Sequence, residues 1–479
     1  MLKVFNTLTN QKEEFKPINE GKVNMYVCGV TVYDFCHIGH ARSSGVFDVI
    51  RRYLMYKGFD VTFVKNFTDI DDKIIKRSNE RNIDWRDLTA EFIAEHDADM
   101  DSLNILRPDH TPKATDYIKQ MIEMCETLIS KGFAYESEGD IYYRVQEFKE
   151  YGKLSHRKLE DMMAGARIEV NDKKENPYDF VLWKSSKPGE PSWESPWGPG
   201  RPGWHIECSV MSEDILGLPF DIHGGGKDLV FPHHENEIAQ SEAACGCMFS
   251  KYWIHNGFVN VNQEKMSKSL GNFFTIRDVL KEFDSEIVRF FLMTTHYRSA
   301  LDFSQDHLLE AEKSLDRVYT MLDELNRFNA GKKGVDVTAD AEKMFAAFKE
   351  KFESAMDDDF NTPEALAAMF EVIRETNRLL GAKPNKEGFP ALQKAVADVF
   401  AMLNNVLGII KYTPEDWFRI NLSIPEDELL KKIEERTAAK KEKNFELSDS
   451  IRNELKEQGI ELLDTVEGTI YRAVKIRNL

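Results

Sequence analysis

"KVNMYVCGVTVYDFCHIGHARSSGVFDVIRRYLMYKGFDVTFVKNFTDIDD", residues 22–72, decides the fold. It opens with a short apolar run ending at Gly29, the pattern of a buried strand. A turn leads into "GHARSSGVFDVIRRYLMYKG", where Val46, Val49, Ile50 and Leu54 recur at helical spacing. "DVTFVKNFTDIDDKII" then reads as a second strand followed by a helix. Strand, helix and strand form a β–α–β unit, which implies a parallel sheet with a right-handed crossover. Ligands of such sheets lie beyond the carboxyl ends of the strands. Cys28 to His40 and Thr68 to Asp72 both fall at that edge.

Outward from this unit, residues 84–200 read as an insertion. Helical patterns at 85–101 and 114–131 precede a strand candidate, "GDIYYRVQEF". "SSKPGEPSWESPWGPGRPGW" is rich in proline and glycine and reads as a loop. "LPFDIHGGGKDLVF" (218–231) restores the strand pattern and runs into a glycine turn. The helix "PHHENEIAQSEAACG" follows, with Pro232 expected in its first turn. "YWIHNGFVNVN" (252–262) reads as strand and turn, then "QEKMSKSLGNFF" as a polar loop. Amphipathic helices are expected at 305–328, 340–356, 363–380 and 389–408, the pattern of a bundle. The tail reads as a helical hairpin with a small β element.

Composition bounds the class. The 479 residues allow several domains, and 42% hydrophobic with 30% charged residues is the make-up of a globular protein. No run reaches the roughly 18 apolar residues of a membrane helix. The N-terminus lacks the pattern of a secretory signal, so a cytoplasmic location with reduced cysteines is expected. The net charge of −19 argues against a surface coated for nucleic acid, though not against a local basic patch.

Two stretches suit phosphate chemistry. His37-Ile38-Gly39-His40 lies where a strand turns into a helix start, whose N–H groups and dipole favour anions. Two imidazoles there can donate to a phosphate whose charge grows in a transition state. Lys265-Met266-Ser267-Lys268-Ser269 offers two cations on a loop able to close over a polyphosphate. Each alone is equally well a surface segment. Gly226 and Asp228, after a strand, fit a nucleotide ribose.

Metal donors also occur. His233 and Glu237 stand at i, i+4 on one helix face, and His234 points about 100° away from His233. Cys208, with His205 nearby, and Cys28 add sulfur and nitrogen donors suited to zinc. Spacing alone does not join ligands from three segments, and such residues also serve as buried thiols and hydrogen-bonded rings.

"HIGH" and "KMSKS", unaltered and in this order, resemble the paired signatures of class I aminoacyl-tRNA synthetases. "VTVYDFCHIGHAR", "NFTDIDDKI", "GWHIECSVM" and "DIHGGGKDLVFPHHENEIAQSEA" are similar to the cysteinyl-tRNA synthetase family in particular. The resemblance spans nearly the whole chain and is least specific over about 110–200 and 330–420. Two positions depart from the family pattern: Val30 replaces a proline, and Tyr471 stands where a tryptophan is usual.

The resemblance implies a Rossmann-type α/β catalytic domain with a parallel sheet and an inserted connective segment. An α-helical bundle and a small mixed α/β C-terminal domain follow. The expected boundaries are 1–110 and 204–262 for the two catalytic halves and 111–203 for the insertion. The lysine loop and stem-contact region would span 263–304, the bundle 305–410 and the anticodon-recognition domain 411–479.

It also implies the chemistry. ATP, with Mg²⁺, would be held by His37, His40, Lys265 and Lys268, with Gly226 and Asp228 at the ribose. One zinc would be ligated by Cys28, Cys208, His233 and Glu237. Gly29, Thr68, Trp204 and His223 would line the L-cysteine pocket. Cys36, Cys125, Cys245 and Cys247 match no ligand position and are expected as thiols. The implied partner is tRNA(Cys), charged by a monomer without membrane attachment. Its contacts are expected from the tail, where Lys431, Lys432, Arg436, Lys440, Lys441, Lys443 and Arg452 cluster among glutamates. A shape-based pocket cannot strongly reject serine, but a thiolate-preferring metal can, by about 10⁴-fold, without editing. Two other classes compete: a cysteine ligase acting on an amino-sugar, and a non-enzymatic tRNA- or zinc-binding protein. The family-like ending at 444–472 argues against the first, and the intact paired signatures against the second.

Overall fold

The computed structural model describes residues 1–158, 173–261, 264–265, 273–420, 422–465 and 468–473. The expected β–α–β unit forms: β1 (Lys22–Thr31), α1 (Ile38–Tyr56) and β2 (Asp60–Thr68). Farther along the chain come α2 (Trp204–Leu216), β3 (Phe220–Gly226), α3 (Glu235–Cys245) and β4 (Ser250–Asn256). The strands make one sheet in the order β4-β3-β1-β2, parallel throughout.

Parallel strands are covered on both faces, so their sequences are apolar rather than alternating. Val23, Met25, Tyr26 and Val27 are fully buried in β1. α1 buries Val46, Phe47, Val49, Ile50, Tyr53 and Leu54. A charged group also anchors it: Asp48 Oδ2 accepts from Arg289 Nη2 at 2.5 Å and from Arg52 Nε at 2.8 Å. Arg289 further donates to the carbonyls of Leu103, Asn104 and Leu407. That multiply bonded guanidinium offsets the cost of burying the pair.

The register of β1 against β2 shifts between Val27 and Val30, at Gly29. A Cβ on Gly29 would lie 1.6 Å from the backbone oxygen of Asn66. No other residue fits this crossing of two backbones. The Gly29 N–H donates to Asn66 Oδ1 at 2.8 Å.

The insertion carries its own antiparallel sheet of four strands, Ala134–Ser137, Asp140–Tyr143, Phe180–Ser185 and Gly200–Pro202. One expectation fails locally. Pro232 is not in the first turn of a regular helix: Phe231 has extended backbone angles, and 230–234 form one wide turn before α3 begins at Glu235.

The chain divides into two compact units. The first holds residues 1–311, 346–370 and 399–409, and the second the remainder. The four long helices form at Gln305–Arg327, Thr338–Asp357, Thr362–Gly381 and Phe389–Leu407. The second unit ends in the helical hairpin Glu426–Lys441 and Phe445–Glu457 and the strand pair Ile460–Thr465 and Gly468–Ala473. Leu429, Ile433, Ile451, Leu455, Ile460 and Leu462 form its small core. Part of the basic tail is structural. Arg436, 1% exposed, makes a two-pronged bond to Asp464, Lys440 bonds the same carboxylate, and Lys432 pairs with Glu454. Tyr471 donates to Glu426 Oε1 at 2.5 Å. No helix among the described residues is long and apolar enough to cross a membrane.

Candidate active site and metal centre

A cleft of about 470 Å³ opens at the carboxyl edge of the sheet. Cys28, Gly29, His37, His40, Trp204, Gly226 and Asp228 all line it. Most of these residues meet here because they end a parallel strand or begin the segment after one; Trp204 instead opens α2, after the insertion's last strand.

The first turn of α1 shapes the two histidines. His37 is the N-cap, and its Nδ1 accepts from the Gly39 N–H at 3.0 Å. His40 Nδ1 accepts from the His37 N–H at 3.3 Å. The rings stack with centroids 3.7 Å apart. This is a capping box built from imidazoles. With Nδ1 accepting, each neutral ring carries its proton on Nε2, the donor form an anion requires.

Beneath the cleft, Cys28, Cys208, His233 and Glu237 converge, with all ligand atoms within 4.8 Å of one another and every residue buried. Cys28 Sγ lies 3.6 Å from Cys208 Sγ and 3.4 Å from Glu237 Oε1. His233 Nε2 is 3.0 Å from the same oxygen. Tetrahedral zinc with bonds of about 2.0–2.3 Å sets its ligands about 3.3–3.8 Å apart. The two Cys28 distances fall in that range and the His233–Glu237 distance is somewhat shorter, so the donor set fits after a small shift of that pair. Burial pushes the Cys28 thiol well up, with Cys208 and Glu237 adding to it. The Cys28 hydrogen bond lowers Cys208, but burial and Glu237 outweigh it, so this thiol is raised too. Burial holds the His233 ring well below its usual value, leaving it a neutral donor.

The wide turn before α3 complicates the simple i, i+4 reading. It brings His234 Nε2 to 3.9 Å from Glu237 Oε1, and a second group, Cys28, His223, His234 and Glu237, is equally close-set. His233 lies closer to the carboxylate, and its ring stacks on Trp204 at 4.1 Å. His205 Nδ1 stands 2.8 Å from His233 Nδ1 and orients the ring as outer partners of metal ligands do.

Thr68 and His223 do not line the cleft but are bonded to buried carboxylates. Thr68 Oγ1 donates to Glu207 Oε2 at 2.7 Å, and His223 Nε2 is 2.8 Å from Glu237 Oε2. Lys265 lies in a two-residue strand, Glu264–Lys265, paired antiparallel with Asn260 and Val261. Lys268 lies outside the described residues. Cys36 and Cys125 are buried thiols. Cys245 and Cys247 are not: they are disulfide-bonded across Gly246, whose left-handed turn brings their Cα atoms to 5.3 Å. Sequence reasoning missed Asn66, Glu207 and Lys65. Their signal was present, as polar residues inside otherwise apolar buried segments.

A catalytic-domain model for class I (C) tRNA synthetases matches residues 14–313, and a DALR domain matches 351–411. The cysteine–tRNA ligase of Syntrophotalea carbinolica is 53% identical over 98% of this chain and 99% of its own. The chain belongs to the cysteine–tRNA ligases, a family of class I synthetase enzymes. The ligases of Geobacter metallireducens, at 52%, and Thermodesulfovibrio yellowstonii, at 51%, cover 98% and 99% of the chain. Among solved structures, Mycobacterium tuberculosis methionyl-tRNA synthetase in complex with methionyl-adenylate superposes with a TM-score of 0.62. It is 15% identical and covers 81% of this chain and 92% of its own, a likeness of fold.

Proposed function

We propose that the chain charges tRNA(Cys) with L-cysteine through a cysteinyl-adenylate, acting as a cytoplasmic monomer. One observation carries this reading: the cleft joins a sulfur–nitrogen–oxygen donor set to a histidine pair at a helix start.

In the first step the cysteine carboxylate attacks the α-phosphorus of ATP and pyrophosphate leaves. In the second, a terminal adenosine hydroxyl of tRNA takes the acyl group and AMP leaves. Neither step needs a protein nucleophile, so catalysis is positioning and charge stabilisation. His37 and His40 donate from Nε2 to the phosphate as its charge develops. Asp228 accepts from the ribose hydroxyls beside Gly226, and Lys265 and Lys268 hold the pyrophosphate. Gly29 and Trp204 line the amino-acid pocket, and Thr68 and His223 act on it through Glu207 and Glu237. Zinc on Cys28, Cys208, His233 and Glu237 would hold the substrate sulfur as thiolate, which serine's hydroxyl does not match.

The test is incubation with unfractionated tRNA, ATP–Mg²⁺ and each of twenty labelled amino acids. Only cysteine is expected to label tRNA, with AMP and pyrophosphate released. Labelling by another amino acid, or by none, refutes the reading. Adenylate formed without transfer to tRNA refutes it too and favours a small-molecule acceptor.

A further inference from the structure

Lys65 is a charged residue with no role in this scheme so far. It lies in β2 opposite Val27, on the side of the sheet that faces α1. It is 8% exposed, and what it exposes lines the cleft. Its Nζ donates to Ser44 Oγ at 2.6 Å, one turn along α1 from His40. That is the ammonium's one hydrogen bond among the described residues, and no carboxylate among them acts on its charge. An ammonium carries three donors, so two protons lack a partner among the described residues. Burial pushes it down to about 8, a fall that the nearby Cys36 thiol only partly offsets.

A buried cation without an anion costs stability, and proteins retain such groups where a ligand supplies the missing charge. Arg289 shows the contrast within this same chain: its guanidinium is equally buried but bonded to Asp48 and three carbonyls. The ligand's location follows from the neighbours. Ser44 and His40 stand at i, i+4 and share a helix face. An anion seated at the start of α1 thus meets the His37 and His40 rings from one side and Lys65 from below.

We propose that Lys65 is an anion-binding residue of the cleft and contacts the phosphate of the bound nucleotide at the start of α1. The inference rests on the charging activity proposed above. The other anion of the adenylate-forming step is the amino-acid carboxylate, and it presents the same chemistry.

The experiment compares wild type, Lys65→Met and Lys65→Arg in the full-length zinc-loaded protein. Cysteine-dependent exchange of pyrophosphate into ATP is measured together with separate titrations of ATP–Mg²⁺ and cysteine. Lys65→Met is expected to lose about a hundredfold in kcat/KM for ATP, the scale of one preorganised donor to a developing charge. Its zinc content should be unchanged and its melting temperature equal or higher, because an unpaired buried charge has been removed. Lys65→Arg should recover most of the loss. A loss confined to cysteine binding would place the carboxylate, rather than the phosphate, on Lys65 and overturn the phosphate assignment. Unchanged kinetics in Lys65→Met would overturn the inference altogether. So would a neutral variant that melts earlier and loses zinc, since the charge would then serve the fold. A wild-type protein that binds ATP but charges nothing sinks the proposed function, while the ATP titrations still decide Lys65.

Discussion

Cys208→Ser is expected to lose bound zinc and cysteine affinity together. Four-ligand zinc sites bind with roughly 10–16 kcal/mol at neutral pH, so one of four donors is worth about 3 kcal/mol. That corresponds to at least about a hundredfold in metal affinity. Serine preserves the volume at a residue that is 2% exposed, so packing changes little. What changes is the donor: a serine hydroxyl remains protonated where a thiol beside zinc ionises. The bonds from Ser212 to the Cys208 carbonyl and from Ser209 to the Glu237 carbonyl survive the substitution, so α2 keeps its place against Glu237. Metal content by mass spectrometry and cysteine affinity by titration read the two losses. ATP binding at the start of α1 is expected to persist. Full zinc occupancy in Cys208→Ser would remove Cys208 from the ligand set and leave the group of Cys28, His223, His234 and Glu237 as the competitor.

The same cluster shows what sequence reading can reach. Local periodicity carried the β–α–β unit, since an apolar strand and a helical stripe are each complete within about ten to twenty residues. The four long helices were legible for the same reason. The donor set was legible as residue types and, through family likeness, as a grouping. It was not legible as geometry, because β1, α2 and the turn before α3 meet only after the sheet order β4-β3-β1-β2 is formed. Local backbone departures were invisible as well. The wide turn at 230–234 has no composition that separates it from a helix start, yet it decides that both His233 and His234 approach Glu237. The imidazole capping box was hidden because His is not among the preferred N-caps. Lys65 was overlooked because a lone lysine in a strand ordinarily points to water, and only tertiary packing shows it 8% exposed at the cleft.

Gly29→Ala should damage fold and site at once, and more severely than any other single methyl group added to this sheet's ligand edge. The added Cβ would stand 1.6 Å from the Asn66 oxygen and 2.7 Å from its carbon. Both obstructing atoms are backbone, so no side-chain rotation relieves the overlap. β1 and β2 must separate locally, and overpacking of this kind costs about 3 kcal/mol or more. The separation also breaks the Gly29 N–H bond to Asn66 Oδ1. Asn66 lies against the donor cluster, with its Oδ1 3.8 Å from Cys208 Sγ, and Cys28 is the residue before Gly29. The disturbance therefore reaches two of the proposed zinc ligands, and a shift of about 1 Å is enough to degrade a preorganised site. Gly45→Ala is the internal control. Its Cβ would meet only Leu292 Cδ1, at 3.6 Å, an ordinary contact. Because Gly45 lies inside α1, alanine should stabilise it by up to about 1 kcal/mol. Thermal melting with zinc analysis on the pair separates the two cases. Gly29→Ala should melt lower with reduced zinc, and Gly45→Ala at or above wild type with zinc intact. Equal melting and equal zinc in both variants would mean that the β1–β2 crossing yields without cost, and that Gly29 is dispensable to the geometry of the cleft.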